Sequence, residues 1–222
     1  MAYFDKRFLG FFEGLAMDNS KAYFDANRKV YEQSVRNPFK ELVADMILRL
    51  REHEPEIDLE PKDAIFRINR DIRFSKDKTP YKTHVGAHIS RGGRKDHTYP
   101  GFYFQLSHTG AMVAGGVWGP DKEGIHRVRT HIARDPSAFD RVVSDKAFKE
   151  TFGEVQGDRL KRVPPEFKEV FEVQPYVGNK QWYYHADLGA EVVTVDDLPD
   201  RLMEVHLAGS SVQAYLREAL SG

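Results

Sequence analysis

Cysteine is missing from this chain of 222 residues. Disulfide bonds, thiol catalysis and thiolate metal sites are therefore excluded, and the absence is compatible with a reducing compartment. Charged residues interrupt the N-terminal stretch MAYFDKRFLGFFEGLA, which does not fit the apolar core of a secretory signal. We therefore expect a soluble, cytoplasmic protein.

A surplus of charge of either sign is also lacking. The chain has 33 basic and 34 acidic residues, and its formal net charge is -1. A balanced chain has no long-range field that attracts nucleic acid or an anionic membrane, so any anion site has to be local. No apolar run approaches the roughly 20 residues that a membrane-spanning helix needs. We therefore expect neither a membrane association nor general nucleic-acid binding, while the oligomeric state stays open.

Several catalytic and metal-binding motifs are absent as well. The chain has nine histidines, but none belongs to an HExxH motif. If His84 and His88 share a strand, they lie about 13 Å apart, which is too far to bind one ion. No GxSxG motif marks a nucleophilic serine, and the loop 76–82 lacks the glycines and the following helix of a phosphate loop. The sequence thus predicts no metal site and identifies no cofactor.

Apolar residues at helical spacing dominate the first third of the chain. Asn19 or Ser20 can cap a second helix, and Asn37 followed by Pro38 is typical of a third helix start. The apolar stripes are Phe8, Phe11, Phe12 and Leu15 in the first helix, Tyr23, Phe24, Tyr31 and Val35 in the second, and Phe39, Leu42, Val43, Met46, Ile47 and Leu50 in the third.

The middle of the chain alternates polar and apolar residues, which is typical of half-buried strands. The predicted strands are 65–74, 83–90, 101–107 and 111–118, with a further extended aromatic segment at 181–187. Further helices are predicted after Asp121, at 136–151, and at 195–220 with a break near Gly209. We therefore predict an α+β fold with one domain over 1–222. Its helices pack on a mostly antiparallel sheet, a meander of four or more strands.

Charge is concentrated in the segment NRDIRFSKDKTPYK, residues 69–82. As a strand, its first half puts apolar side chains and Arg70 on one face and polar side chains on the other. Arg70 then needs a carboxylate, a carbonyl group or a ligand, because burying an unpaired guanidinium is costly. Alternatively, a bulge near Asn69 turns Arg70 to the polar face. Keeping apolar residues opposite one another fixes the antiparallel register. This register pairs Ile72 with Val85, Ile68 with Ile89, Arg70 with Ala87, Arg73 with His84, Asp71 with Gly86 and Asn69 with His88.

The predicted register leaves a hollow at Gly86, beside Asp71 and diagonal to two histidines. Arginines bind phosphate and carboxylate groups, and a carboxylate with imidazoles can move protons. We therefore predict a site for an anionic small molecule on the polar face of the sheet, in a binding protein or an enzyme. The candidate ligand-binding residues are Arg67, Asn69, Arg70, Arg73, Ser75, Lys76, Lys78, Tyr81 and Lys82. The candidates for proton transfer are Asp71, His84 and His88.

Two other interpretations of these residues stay open. The charges can form a cross-strand network that only stabilises the sheet, because ion-pair networks of purely structural use also occur. The lysine-rich loop 76–82 can instead contact a nucleic acid or a protein, with Tyr81 stacking on a base. The balanced charge of the chain argues against a nucleic acid, because phosphate backbones attract proteins mainly through positive charge.

The segment FRINRDIRFSKDKTPYK, residues 66–82, resembles the signature of the family of the domain of unknown function numbered 2461. Residues 27–32, 100–103 and 115–120 agree with the same family, and the resemblance covers most of the chain. Tyr23 departs from it, since a tryptophan is expected there. The resemblance implies no activity. It implies that the polar residues of 66–82 recur in the family, which favours a ligand site over a solvated face.

Overall fold

The structure is a computed structural model that describes residues 2–221. Its α-helices are α1 (Lys6–Met17), α2 (Lys21–Ala26), α3 (Arg28–Val30), α4 (Asn37–Arg51), α5 (Pro61–Ala64), α6 (Lys122–Arg134), α7 (Pro136–Val143), α8 (Lys146–Phe152), α9 (Lys168–Val173), α10 (Leu198–Ala208) and α11 (Ser210–Ser221). Its strands are β1 (His84–Ile89), β2 (Phe102–Ser107), β3 (Gly110–Val117) and β4 (Trp182–Leu188). Within this described part of the chain, no helix is long and apolar enough to cross a membrane.

The strands form one antiparallel four-stranded sheet in which they follow one another in chain order, β1-β2-β3-β4. The predicted α+β class and the antiparallel meander are therefore confirmed. Three strands lie within one residue of their predicted ends, and β4 is the aromatic segment predicted to be extended. Alternation along β2 buries Phe102, Phe104 and Leu106 and turns the residues between them to the other face of the sheet.

The prediction of a strand at 65–74 is wrong, because this segment has no regular strand pairing. Two isolated antiparallel bridges hold it against the chain around β1, namely Ile65–Ala87 and Asn69–Tyr81. Ala87 therefore lies opposite Ile65 instead of Arg70. Asn69 lies opposite Tyr81 instead of His88, and the predicted pairs Asp71–Gly86 and Arg73–His84 are wrong as well.

Contacts of Tyr81 explain the observed register. Its ring stacks on the ring of Phe24, with centroids 4.3 Å apart and an angle of 12° between the planes. The side-chain amide of Asn19 donates to the Tyr81 carbonyl and accepts from the Tyr81 N–H, both at 3.0 Å. These contacts fix Tyr81 in the core. The rule of matching apolar residues within a hairpin misses them, because the partner side chains come from another segment.

The first third of the chain is helical as predicted, but the predicted second helix is divided into α2, α3 and a π-helical turn, and Asn37 is not a cap. The predicted apolar stripes of α1 and α4 are buried, and Ser20 caps α2 by accepting a hydrogen bond from the Tyr23 N–H. Between α3 and α4 the chain forms a π-helical turn, Tyr31–Arg36. Asn37 has helical backbone angles, φ -69° and ψ -49°. The chain therefore stays helical through Asn37, where the sequence predicted a cap and a restart.

The chain divides into two compact units. Unit 1 comprises Met1–Arg94, Tyr103–Val113 and Asp187–Met203, and unit 2 comprises Lys95–Phe102, Ala114–Ala186 and Glu204–Gly222. In unit 1, Phe39 of α4 packs on Phe104 of β2 with ring centroids 5.6 Å apart. One domain over 1–222 stays a prediction.

Unit 2 has a core in which Trp182 and Tyr184 of β4 are among the most buried side chains. The Tyr184 hydroxyl donates to the Gly209 carbonyl at 3.0 Å. A Cβ atom at Gly209 would lie 2.3 Å from that hydroxyl. Gly209 therefore provides the close approach at the break between α10 and α11, which the sequence predicted at this residue. The predicted start of α6 is confirmed too, because Asp121 accepts a capping hydrogen bond from the Gly124 N–H at 2.7 Å.

Candidate functional site

Three basic side chains of unit 1 lie together where the chain enters β1. His84 opens the strand, Lys82 precedes it by two residues, and Arg67 lies on the segment bridged to this part of the chain. The charge of Arg67 acts on Lys82, and the charge of Lys82 acts on His84. We call Arg67, Lys82 and His84 the basic cluster. The structure thus brings together three of the side chains that the sequence predicted for the site.

Burial disfavours the charged forms of two members of the basic cluster. Burial, followed by the positive charge of Arg67, lowers the pKa of Lys82. Burial, followed by the charge of Lys82, lowers the pKa of His84 from 6.5 to about 4. The imidazole is therefore neutral near pH 7. Among residues 2–221, no carboxylate forms an ion pair with the cluster and no group forms a hydrogen bond with the His84 ring.

Aromatic side chains that the sequence reasoning missed lie beside the basic cluster. The Lys82 ammonium lies 4.9 Å from the centroid of the Phe66 ring, and that ring lies 6.1 Å from the ring of Tyr103. The Tyr103 hydroxyl donates to Gln105 Oε1 at 2.8 Å, and burial raises the pKa of Tyr103 to about 12. The alternation along β2 was the sequence signal for Tyr103 and Gln105, since it turns these two side chains away from the face of the buried Phe104.

The predicted hollow beside Asp71 is not found at Gly86. A Cβ atom at Gly86 would lie only 3.0 Å from the Tyr103 hydroxyl and 3.5 Å from the Gln105 Cβ atom. The missing side chain at Gly86 therefore makes room for Tyr103. The prediction was wrong because the register that placed Asp71 opposite Gly86 was wrong.

Asp71 and Arg73 form an exposed ion pair with each other. Arg73 donates to the two carboxylate oxygens through Nε at 2.9 Å and Nη2 at 2.6 Å. These bonds are the main cause that lowers the pKa of Asp71 from 3.8 to about 2, and the charge of Arg67 makes the smallest contribution. A carboxylate with so low a pKa is a weak base near neutral pH. Asp71 is therefore a weaker base than His84, whose pKa is about 4.

Residues 70–79 form what we call the charged loop, and Arg70 closes it. The Arg70 guanidinium donates to the Asp77 carboxylate, the Thr79 hydroxyl, the Thr79 carbonyl at 3.2 Å and the Ser75 hydroxyl at 3.4 Å. Lys78 donates to the Ile72 carbonyl at 2.8 Å. Arg70, Ser75 and Lys78, predicted as ligand-binding residues, therefore have partners inside the loop.

The remaining predicted residues lie elsewhere. Lys76 is exposed on the charged loop, Asn69 is exposed beside it, and Tyr81 is buried against Phe24. His88 is buried on β1, with Nδ1 3.2 Å from the Gly93 carbonyl. In residues 2–221, no group of three or more histidine, aspartate or glutamate side chains is arranged to hold a metal ion.

A family described as conserved hypothetical protein (DUF2461) matches residues 7–215 of the chain. The match includes the basic cluster, the charged loop and the buried strands of both units. No curated protein and no solved structure matches the chain. The match spans far more than half of the chain, as the resemblance of residues 66–82 predicted, and the chain therefore belongs to the DUF2461 family.

Proposed function

We propose that the protein binds a small molecule with a phosphate or carboxylate group at the basic cluster. One observation carries the proposal: Lys82 and His84 are half-buried beside Arg67, and no acid within residues 2–221 pairs with them. Basic groups that a protein buries only for stability are normally paired with a carboxylate. An anionic ligand would supply the missing negative charge.

The surroundings of the basic cluster suit such a ligand. The charge of Arg67 contributes to the lowered pKa of Lys82, and the charge of Lys82 contributes to that of His84, so a bound anion would relieve this repulsion. Charge-assisted hydrogen bonds are strong where burial reduces screening by water. The rings of Phe66 and Tyr103 would supply an apolar wall for the uncharged part of the molecule.

His84 would be the general base if the ligand is also a substrate, because a bound anion would raise the lowered pKa of the His84 imidazole towards neutral pH. Its ring is neutral near pH 7, and no described residue occupies its nitrogen atoms. Tyr103, whose pKa is about 12, stays protonated and donates its proton to Gln105, so its hydroxyl oxygen could accept a hydrogen bond from a substrate. We propose binding as the function, and proton transfer by His84 as the chemistry this site is equipped for.

Thermal unfolding in the presence of anions tests the proposal. We expect phosphate, pyrophosphate or citrate, compared at constant ionic strength, to raise the unfolding temperature of the wild-type protein. Arg67→Gln and Lys82→Gln should each weaken the affinity about tenfold, because each removes a charge-assisted hydrogen bond. Lys76→Gln, which removes an exposed lysine of the charged loop, is the matched control and should keep the wild-type response. An equal response of all three variants would contradict the proposal.

Lys82→Met separates this proposal from a purely structural role of the cluster. Without ligand, this substitution should raise the free energy of unfolding by about 1 kcal/mol, because it removes a half-buried charge that has no acidic partner. The same variant should lose the stabilisation by anions. If Lys82 instead belonged to a stabilising charge network, Lys82→Met would lower the free energy of unfolding, as measured by urea denaturation.

A second candidate function is contact with single-stranded nucleic acid through the charged loop. Phe74 is 95% exposed, and the guanidinium carbon of Arg73 lies 6.0 Å from its ring centroid. An exposed aromatic ring among cations can stack on a base. The sequence predicted this role for Tyr81, but Tyr81 is buried, so Phe74 is the residue that could take it. Fluorescence anisotropy of a labelled oligothymidine at low salt tests this. Phe74→Ala and Lys76→Glu should both weaken binding, and constant anisotropy with wild-type protein would exclude it.

A further inference from the structure

Arg129 on α6 is a buried arginine of unit 2 without an acidic partner. The residue is only 7% exposed. Its Nη2 atom donates to the Asn179 carbonyl at 3.0 Å, whereas its Nε atom is buried and meets no acceptor within residues 2–221. A buried N–H group without an acceptor is unfavourable, and here it belongs to a charged group. The guanidinium is therefore incompletely satisfied.

Arg129 cannot escape this cost by losing its proton, because guanidinium groups stay protonated in proteins. Burial lowers the pKa of Arg129, and the charge of the exposed Glu166 opposes that shift. Yet Glu166 forms no ion pair with Arg129 in the part of the chain that the structure describes. The charge of Arg129 therefore lacks a counter-charge in direct contact.

A second guanidinium approaches the same asparagine. Arg159 Nε donates to Asn179 Oδ1 at 3.1 Å, and its guanidinium carbon lies 5.4 Å from the centroid of the Tyr176 ring. Asn179 is fully buried, and its Nδ2 atom donates to the Gln156 carbonyl at 3.5 Å. One buried residue thus binds two arginines through two different oxygen atoms. Arg159 has no ion pair among the described residues either, which leaves its Nη groups available.

We propose that Arg129 and Arg159 form an oxyanion site in unit 2 that takes a phosphate or a carboxylate group. Arg129 would donate through its unpaired Nε–H and Arg159 through its Nη groups, in the charge-assisted geometry that arginines use for such anions. Asn179 acts as the positioning residue. The site shares no residue with the basic cluster, so it goes beyond the function proposed for that cluster.

Anion titrations of the full-length Lys82→Gln protein test this site, because that variant has an impaired basic cluster. Inorganic phosphate and acetate, at constant ionic strength, serve as the two probes and separate a phosphate site from a carboxylate site. We expect one probe to raise the unfolding temperature and to shift the Arg129 and Arg159 Nε–H signals in ¹⁵N-edited NMR. Adding Arg159→Gln should weaken that affinity about tenfold, as expected when one charge-assisted hydrogen bond is lost.

Arg134→Gln is the matched control, because Arg134 is exposed on the same helix. It should keep the affinity of the Lys82→Gln reference. Arg159 is also exposed, so its replacement tests the site even if Arg129→Gln does not fold. The proposal is overturned if neither probe shifts the two Nε–H signals, or if Arg159→Gln and Arg134→Gln behave alike. The proposal is also overturned if Glu166→Gln and Arg129→Gln lower the free energy of unfolding by equal amounts and the double variant loses no more than either single variant. Glu166 would then be the partner of Arg129.

Discussion

The charged loop and the basic cluster lie in the same unit and contain the same kinds of side chain, but their charges are compensated differently. In the charged loop, Arg70 is bonded to Asp77 and Arg73 to Asp71. In the basic cluster, Lys82 and His84 are half-buried and have no acidic partner among residues 2–221. The loop has the higher density of charge along the sequence, whereas the cluster has the charge that still lacks a partner.

This difference shows why charge density along a sequence is a poor guide to a ligand site. Charges close together in sequence can neutralise one another at low cost, because a short loop lets an arginine reach an aspartate a few residues away. Arg73 and Asp71 do so at the surface, where such pairs contribute little. A ligand site instead needs charges that the fold holds together and leaves uncompensated. Experiments that separate the two regions therefore test the proposed function.

The largest expected difference is the pH dependence that His84 gives to stability. The pKa of His84 is 6.5 in the unfolded chain and about 4 in the folded protein. Between these values the unfolded state binds more protons, so the free energy of unfolding falls as the pH is lowered. We expect His84 to account for a loss of roughly 2–3 kcal/mol across this range. Urea denaturation of wild type and His84→Gln at several pH values measures it, and the variant should lose less stability.

His53→Gln is the control for that measurement, because His53 is an exposed histidine of unit 1. Its pH dependence should match that of the wild type. A saturating anion should reduce the loss at low pH, since negative charge beside His84 raises the pKa of the imidazole. A wild-type protein and a His84→Gln variant with parallel pH curves would show that the ring is not buried as described.

Elements with their own periodic pattern were predictable from the sequence. The stripe from Phe39 to Leu50 makes α4 amphipathic whatever surrounds it, and the alternation along β2 does the same for a strand. The segment 65–74 alternates equally well, yet it is held only by isolated bridges. Its register depends on Asn19 and Tyr81, a contact between residues 62 positions apart that no local pattern encodes.

The residues of the proposed site were named from the sequence, but their arrangement was not. Arg67, Lys82 and His84 were among the predicted residues, but the predicted site was centred on Asp71 and a hollow at Gly86. The wrong register placed Asp71 next to His84 and His88, whereas in the structure Asp71 pairs with Arg73. The aromatic neighbours come from β2 and from the residue before Arg67, and their closeness is a consequence of tertiary packing.

A smaller effect is expected from breaking the closure of the charged loop. Arg70→Ala removes bonds to the side chains of Ser75, Asp77 and Thr79 and should lower the free energy of unfolding by about 2 kcal/mol. Urea denaturation measures this loss, and limited proteolysis should show faster cleavage in the loop. Lys76→Ala is the control in the same loop and should change stability little, because Lys76 is exposed. Anion affinity at the basic cluster should be unchanged in both variants, and a loss with Arg70→Ala would place the loop in the site.

The smallest effect is expected from the exposed pair of Asp71 and Arg73. Neither Asp71→Asn nor Arg73→Gln should shift the urea midpoint at neutral pH, because exposed ion pairs gain little and are screened by water. NMR titration of the Asp71 carboxyl should nevertheless show its pKa rising from about 2 towards 3.8 in Arg73→Gln, since the bonds that lower it are lost.

Anion affinity shows which way the same pair acts on the basic cluster. Asp71 lies close enough to Arg67 for the two charges to interact. Asp71→Asn should therefore tighten anion binding slightly, by about twofold, because a repelling charge is removed while the cluster stays intact. A lower urea midpoint with no gain in affinity would instead show that the pair stabilises the charged loop. The sign of this small change thus distinguishes a ligand site with an acid beside it from a charge network that serves folding alone.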